Sequence, residues 1–335
     1  MRASNDLLSM AKLSEHMTFE QNLENPTPAP PRRSLLAPPA GPVVGVKAIF
    51  WNERELRAGW RLLIYFVLFV FIVRAGGYLA AALHVGLILR TSITPFGLTV
   101  RESVGLFAAL GAGAIMGLLE SRQFGTYGLP RAAAFKARFW QGVVWGLAMI
   151  TGVILFIRLL GGFSFGEMAL HGGELWKYAG LWALTFLFVG FFEEFLFRGY
   201  TQFTLASGVE FWPAATIMSA VFAAAHLGNG GEDKVGALSV FVIAMFFCLT
   251  LRRTGNLWFA VGLHAAFDWG ETFLFSVPDS GLVASGHMLN SSFHGPAWLT
   301  GGTVGPEGSV MTFVVIALAA VIFIWVFPPR EEVPE

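Results

Sequence analysis

The chain has 335 residues, 22 Lys+Arg balanced by 22 Asp+Glu, 55% hydrophobic residues and only 13% charged ones. With a mean hydropathy of +0.62, it is neither a disordered chain, which needs low hydrophobicity and high charge, nor a nucleic-acid binder, which needs excess positive charge. One cysteine, Cys248, excludes an intramolecular disulfide framework and a multi-cysteine metal site, so the apolar excess points to an all-α, polytopic helical membrane protein.

Residues 1–45 hold seven of the 16 prolines and no Trp. They read as a disordered, proline-rich cytoplasmic tail, with a docking peptide for a proline-binding domain as the alternative. Asp6 and Glu15 interrupt the first 20 residues, so no secretory signal is expected there. Residues 46–335 read as one helical membrane domain. Eight apolar stretches are predicted as helices, at about 60–89, 103–120, 140–160, 178–205, 212–227, 236–251, 256–275 and 309–327. Each is about long enough to cross a bilayer core of about 30 Å. The longest connection, about 276–308, is rich in Gly, Ser and Pro, lacks Lys and Arg, and reads as irregular. Twelve basic residues fall on the side of the N-terminus and four on the other (Arg90, Arg101, Lys177 and Lys234). That bias predicts both termini in the cytoplasm, in a plasma membrane of the bacterial type.

Ionisable residues inside such spans are expensive and usually have a reason to be there. They concentrate at Glu193-Glu194 and Arg198 in the fourth stretch, His226 in the fifth, and His264, Asp268 and Glu271 in the seventh. Glu194 and Arg198 stand at i, i+4 and can pair on one face, while Glu193 is turned about 100° away, toward a cavity. Phe222 and His226 repeat the i, i+4 spacing, as do His264 and Asp268. At about 1.5 Å per residue, Glu193, His226 and His264 lie about 18, 21 and 12 Å from one end of their spans, so a shared site between helices four, five and seven is feasible. Glu271 faces the way His264 does but lies near a helix end, where it could simply meet water. Gly111, Gly113 and Gly117 suit close helix packing, and Cys248 suits a small core position.

Glu193-Glu194-x-x-x-Arg198, Phe222-x-x-x-His226 and His264-x-x-x-Asp268, in that order on three helices, resemble the CPBP family: type II CAAX prenyl proteases and bacteriocin-processing (Abi) proteins. The resemblance covers about 140–275. It implies peptide-bond hydrolysis within the membrane on membrane-associated or prenyl/CAAX-type substrates, with membrane lipid as the other partner. Glu193 with His226 would activate water, His264 and Asp268 would stabilise the oxyanion, and Glu194 and Arg198, with Phe222, would support the site. The prenyl-protease branch commonly has Asn where this chain has Asp268. An ionised Asp cannot donate to an oxyanion, so Asp268 is either protonated, an orienter of His264, or part of a cation site. Should a divalent metal such as zinc be present, Glu193, His226 and His264 would be its set; metal-free glutamate chemistry is the preferred reading. Two other functions remain open: a catalytically silent scaffold or bacteriocin-immunity protein of the same fold, and a proton-coupled transporter.

Overall fold

The computed structural model describes residues 34–83, 94–282 and 284–329; the first 33 residues of the predicted tail lie outside them. The principal helices are α1 (Ala58–Ala82), α2 (Pro95–Glu120), α3 (Ala137–Leu159), α4 (Gly172–Arg198), α5 (Tyr200–Val209), α6 (Phe211–His226), α7 (Lys234–Thr254), α8 (Trp258–Trp269) and α9 (Val310–Val326). A π-helical turn, Gly270–Leu274, extends α8. Among the described residues, each of the eight predicted stretches is largely helical; residues 84–89 of the first lie outside them. Among the described residues, five helices are long and apolar enough to cross a membrane: α1, α2, α3, the α4–α5 stretch and α7. The protein is a polytopic helical membrane protein.

The remaining members are short. A 16-residue helix such as α6 rises only about 24 Å, less than a bilayer core. The central helix α8 is shorter still, and Trp258–Asp268 are buried throughout. Short helices are tolerated at membrane depth where other helices, not lipid, surround them.

Local sequence explains the boundaries. Thr94 caps α2, its side chain accepting from Gly97 N, with Pro95 in the first turn. Asp233 caps α7 by accepting from Val235 N and Gly236 N, and Ser309 caps α9. The fourth stretch is not continuous to 205 as expected. It breaks at Gly199, where a Cβ would stand 2.3 Å from Phe195 O.

Three glycines seat α8 against α3. A Cβ on Gly142 would lie 2.1 Å from Phe259 O, one on Gly146 2.2 Å from Leu263 O, and one on Gly262 2.2 Å from Phe139 O. This small-xxx-small contact brings the two backbones together, which is how helices pack without a hydrophobic driving force in lipid. It fixes the height of His264, the residue after Leu263. Gly113, singled out from sequence, packs under Phe195.

One end of the bundle gathers the N-terminal segment and the 121–136 connection. Ser34–Leu36, read as tail from the sequence, lie against the end of α2, with Leu35 N donating to Leu119 O over 2.8 Å. The opposite end is closed by residues 276–308. That segment, expected to be irregular, is an ordered cap: Phe163–Ser164 pair antiparallel with Ser292–Phe293, Trp182 Nε1 donates to Gly286 O, and Gly281 N donates to Val304 O.

Candidate active site

The three motifs meet beneath the cap. A cavity of about 360 Å³ is lined by Glu193 from α4, His226 and Phe222 from α6, His264 and Asp268 from α8, and Asp279 and Glu307 from the cap. Its walls are otherwise largely apolar, with Phe69, Leu98, Trp182 and Phe186 among them. Apolar cavities with a few convergent polar groups are the usual form of a binding site.

His264 is the hub. Its Nδ1 lies 3.0 Å from Glu194 Oε1, and its Nε2 lies 3.5 Å from both Glu193 Oε2 and Asp268 Oδ2. A carboxylate only accepts, so Nδ1 carries a proton and Nε2 faces the cavity acids. The ring stacks on Phe247, with centroids 5.1 Å apart and planes inclined at 20°. Packing on one side and a hydrogen bond on the other hold the imidazole in one orientation.

Glu194 also accepts from Arg198 Nη1 over 3.0 Å, and both side chains are fully buried. The i, i+4 pair expected from the sequence is present. Arg198 lies over the ring of Phe222 at 4.2 Å and near that of Phe247 at 5.3 Å, a cation–π arrangement that covers a charge deprived of water. Glu193, one residue along, turns away as the helix requires, and its side chain keeps 20% exposure. His226 lies edge-on to Phe222, with centroids 4.4 Å apart. Its Nδ1 is 3.0 Å from Phe222 O. A carbonyl cannot donate, so Nδ1 carries the proton and Nε2 is left with a lone pair.

Two features escaped the sequence. The first is the His264–Glu194 bond, which spans 70 residues; the i, i+4 periodicity within each helix carries no such information. The second is the contribution of the cap, because isolated acids in a Gly/Ser-rich connection have no motif. Glu271 does not meet water: it is fully buried in the π-turn. Outside the spans, burial first, then Asp268 and Glu307, push the Asp279 carboxyl well above the usual carboxylate range. Burial, then Glu307, lift Glu232 to about 7.

Of the zinc trio considered from the sequence, Glu193 Oε2 and His264 Nε2 stand 3.5 Å apart and His226 lines the same cavity. Among the described residues, the group of three whose ligand atoms all lie within 4.8 Å of one another is Glu271, Asp279 and Glu307.

Fold and site thus define a helical membrane protein with a buried carboxylate–imidazole centre opening on an apolar cavity. Residues 175–270 match the family model described as Type II CAAX prenyl endopeptidase Rce1-like. The match contains every residue of the three motifs, and its coarse implication is a membrane-embedded protease. No curated relative and no solved structure matches the chain.

Proposed function

We propose that the protein is an intramembrane endopeptidase that hydrolyses peptide bonds of membrane-associated substrates, prenyl/CAAX-type peptides included, by a glutamate–histidine-activated water. The observation that carries this reading is the convergence of Glu193, His226, His264 and Asp268, from three helices, on one largely apolar cavity. Both arms of the chemistry have a plausible donor or acceptor in place. Glu193 lines the cavity with its side chain partly exposed, and among the described residues no Lys or Arg pairs with it. It takes a proton from water while the oxygen attacks the scissile carbonyl carbon, and His226 Nε2 accepts the second hydrogen bond of that water. The proton then passes to the leaving amine as the C–N bond breaks. His264 donates to the oxyanion from Nε2; with Nδ1 committed to Glu194, this requires the imidazolium form. Asp268, 3.5 Å from the same nitrogen, acts through His264 as a positioning residue. The apolar walls suit a lipid-modified or helical peptide.

Cleavage of a membrane-peptide substrate by purified variants tests this reading. Glu193→Gln, His226→Ala and the double variant are expected to be about equally inactive, because residues acting on one water are not additive. A Glu193→Gln protein cleaving at the wild-type rate removes the mechanism. Asp268→Asn keeps shape while removing charge and is expected to retain substantial turnover, with any loss in kcat rather than KM. Complete loss would instead make the anion itself part of the chemistry.

A further inference from the structure

Asp279 and Glu307 line the cavity, and with Glu271 they form a second group of acids that the proposed hydrolysis does not use. Glu271 belongs to the π-turn directly after the helix of His264 and Asp268, while Asp279 and Glu307 come from the two ends of the cap. Ligand oxygens of all three lie within 4.8 Å of one another. All three residues lie outside the segment that matches the family model.

Glu271 is what separates this group from an ordinary acidic patch. Its residue exposure is 0%, and among the described residues neither carboxyl oxygen has a hydrogen-bond partner. Buried carboxylates are normally paired, hydrogen-bonded or metal-bound. Asp279 and Glu307, by contrast, are each held by one oxygen. Thr272 Oγ1 donates to Asp279 Oδ2 over 3.0 Å, and Ser280 N and Oγ donate to Glu307 Oε2 over 2.9 and 2.5 Å. Asp279 Oδ1 and Glu307 Oε1 stay without a protein donor among the described residues. Nor does any Lys, Arg or His form an ion pair with these three acids there. Three carboxyl groups, two of them oriented by donors and the third buried with nothing to meet, converge on a space that a cation would complete.

We propose that Glu271, Asp279 and Glu307 form a binding site for a hard divalent cation of the calcium class, which ties the cap to the helix bearing His264 and Asp268. The donor set is all oxygen, which suits calcium, magnesium or manganese better than zinc or copper. Calcium takes oxygens at about 2.3–2.6 Å, so two of its ligands stand at most about 5 Å apart; the 4.8 Å bound on this cluster fits that span. Magnesium, at about 2.0–2.1 Å, demands near-octahedral geometry and dehydrates reluctantly, so an all-protein carboxylate site suits it less. The bound ion would replace mutual repulsion of three acids by three attractive contacts, and it would do so across the junction between cap and catalytic helix. The site neither uses Glu193 or His226 nor depends on the protease reading.

The test uses the full chain purified in detergent, stripped with EDTA and titrated with calcium chloride. Calorimetry is expected to show one calcium ion bound per chain. The thermal midpoint should rise, and amide exchange across 276–308 should slow. Asp279→Asn and Glu271→Gln should each weaken binding at least tenfold, while Glu193→Gln should bind as wild type does. Should Glu271→Gln fail to fold, Asp279→Asn, which lies in the cap, carries the test. Several results overturn the proposal. One is no uptake and no shift in midpoint up to about 10 mM, above the weakest calcium modules at about 10⁻³ M. Another is undiminished uptake by an Asp279→Asn/Glu307→Gln variant. Uptake lost in Glu193→Gln would place the ion in the catalytic pocket and also overturn it. Because the readout is ion uptake, an inactive protein with a filled site and an active one with an empty site are distinguishable.

Discussion

Glu120 and Glu271 are both buried glutamates at helix ends, on opposite sides of the bundle, and they are treated in opposite ways. Glu120 closes α2 with both of its carboxyl oxygens hydrogen-bonded. Tyr200 and Tyr127 donate to its two oxygens over 2.6 and 2.9 Å. Arg61 and Arg122 approach at 3.5 and 3.6 Å, and Glu55 bridges both arginines at 3.0 and 2.9 Å. Tyr65 stacks on Tyr200 at 4.6 Å. Glu271, equally removed from water, has no partner at either oxygen among the described residues. A buried charge surrounded by donors explains its own presence as structure. A buried charge without them calls for a proton or a ligand from outside the chain. The proposed catalytic centre lies between the two cases: Glu194 is committed to Arg198 and His264, whereas Glu193 is left to the cavity.

The largest expected effect lies in the satisfied region. Arg61 is 1% exposed and faces both Glu120 and Glu55. Arg61→Ala leaves a buried carboxylate short of a cation, and breaking a buried pair from one side costs about 3–5 kcal/mol. A clear drop in thermal midpoint and yield in detergent is expected; an unchanged midpoint would mean that the tyrosines alone carry Glu120. A smaller loss follows from Tyr200→Phe, which removes one hydrogen bond to a charged group while keeping the ring stacked on Tyr65. About 1.5–3 kcal/mol is expected, read as a lower midpoint without change in the calcium response. The burial and carboxylate contacts that hold the Tyr127 hydroxyl protonated, with its pKa raised, keep the second donor in place in that variant.

How much of this was legible in the sequence follows from the range of each interaction. The lengths of the apolar runs located the eight stretches that are helical among the described residues, and the i, i+4 spacings gave the Glu194–Arg198 pair and the Phe222–His226 contact, because these interactions are made within one helix. Arg61 entered only as one of the loop-side basic residues that orient the chain. Its pairing with Glu120 and the donation from Tyr200, 80 residues beyond Glu120, depend on how α1, α2 and α5 pack. The break at Gly199 was hidden because the apolar pattern continues across it. The cap was missed for a different reason: Gly and Ser signal turns but do not say where a turn lands, and Asp279 and Glu307 acquire meaning only through their proximity to Glu271.

The smallest predicted change is the most informative, because its sign separates the two glutamates. In EDTA, Glu271→Met replaces an unpartnered buried carboxylate by an apolar side chain of similar reach. Leaving a buried polar group unsatisfied costs about 1–3 kcal/mol, and replacing buried charge by well-packed apolar residues is often stabilising. The variant is therefore expected to melt higher than wild type without calcium, by an amount matching about 1–2 kcal/mol. The same replacement at Glu120 is expected to lower the midpoint, since it strands two tyrosine hydroxyls and leaves Arg61 with Glu55 as its one carboxylate neighbour. Adding calcium should raise the wild type and leave Glu271→Met where it was, so that the two proteins converge or cross. Were Glu271→Met instead less stable than wild type in EDTA, Glu271 would have a favourable partner in the cation-free protein. Its burial would then be a structural feature of the same kind as Glu120, and the contrast between the two ends of the bundle would be lost.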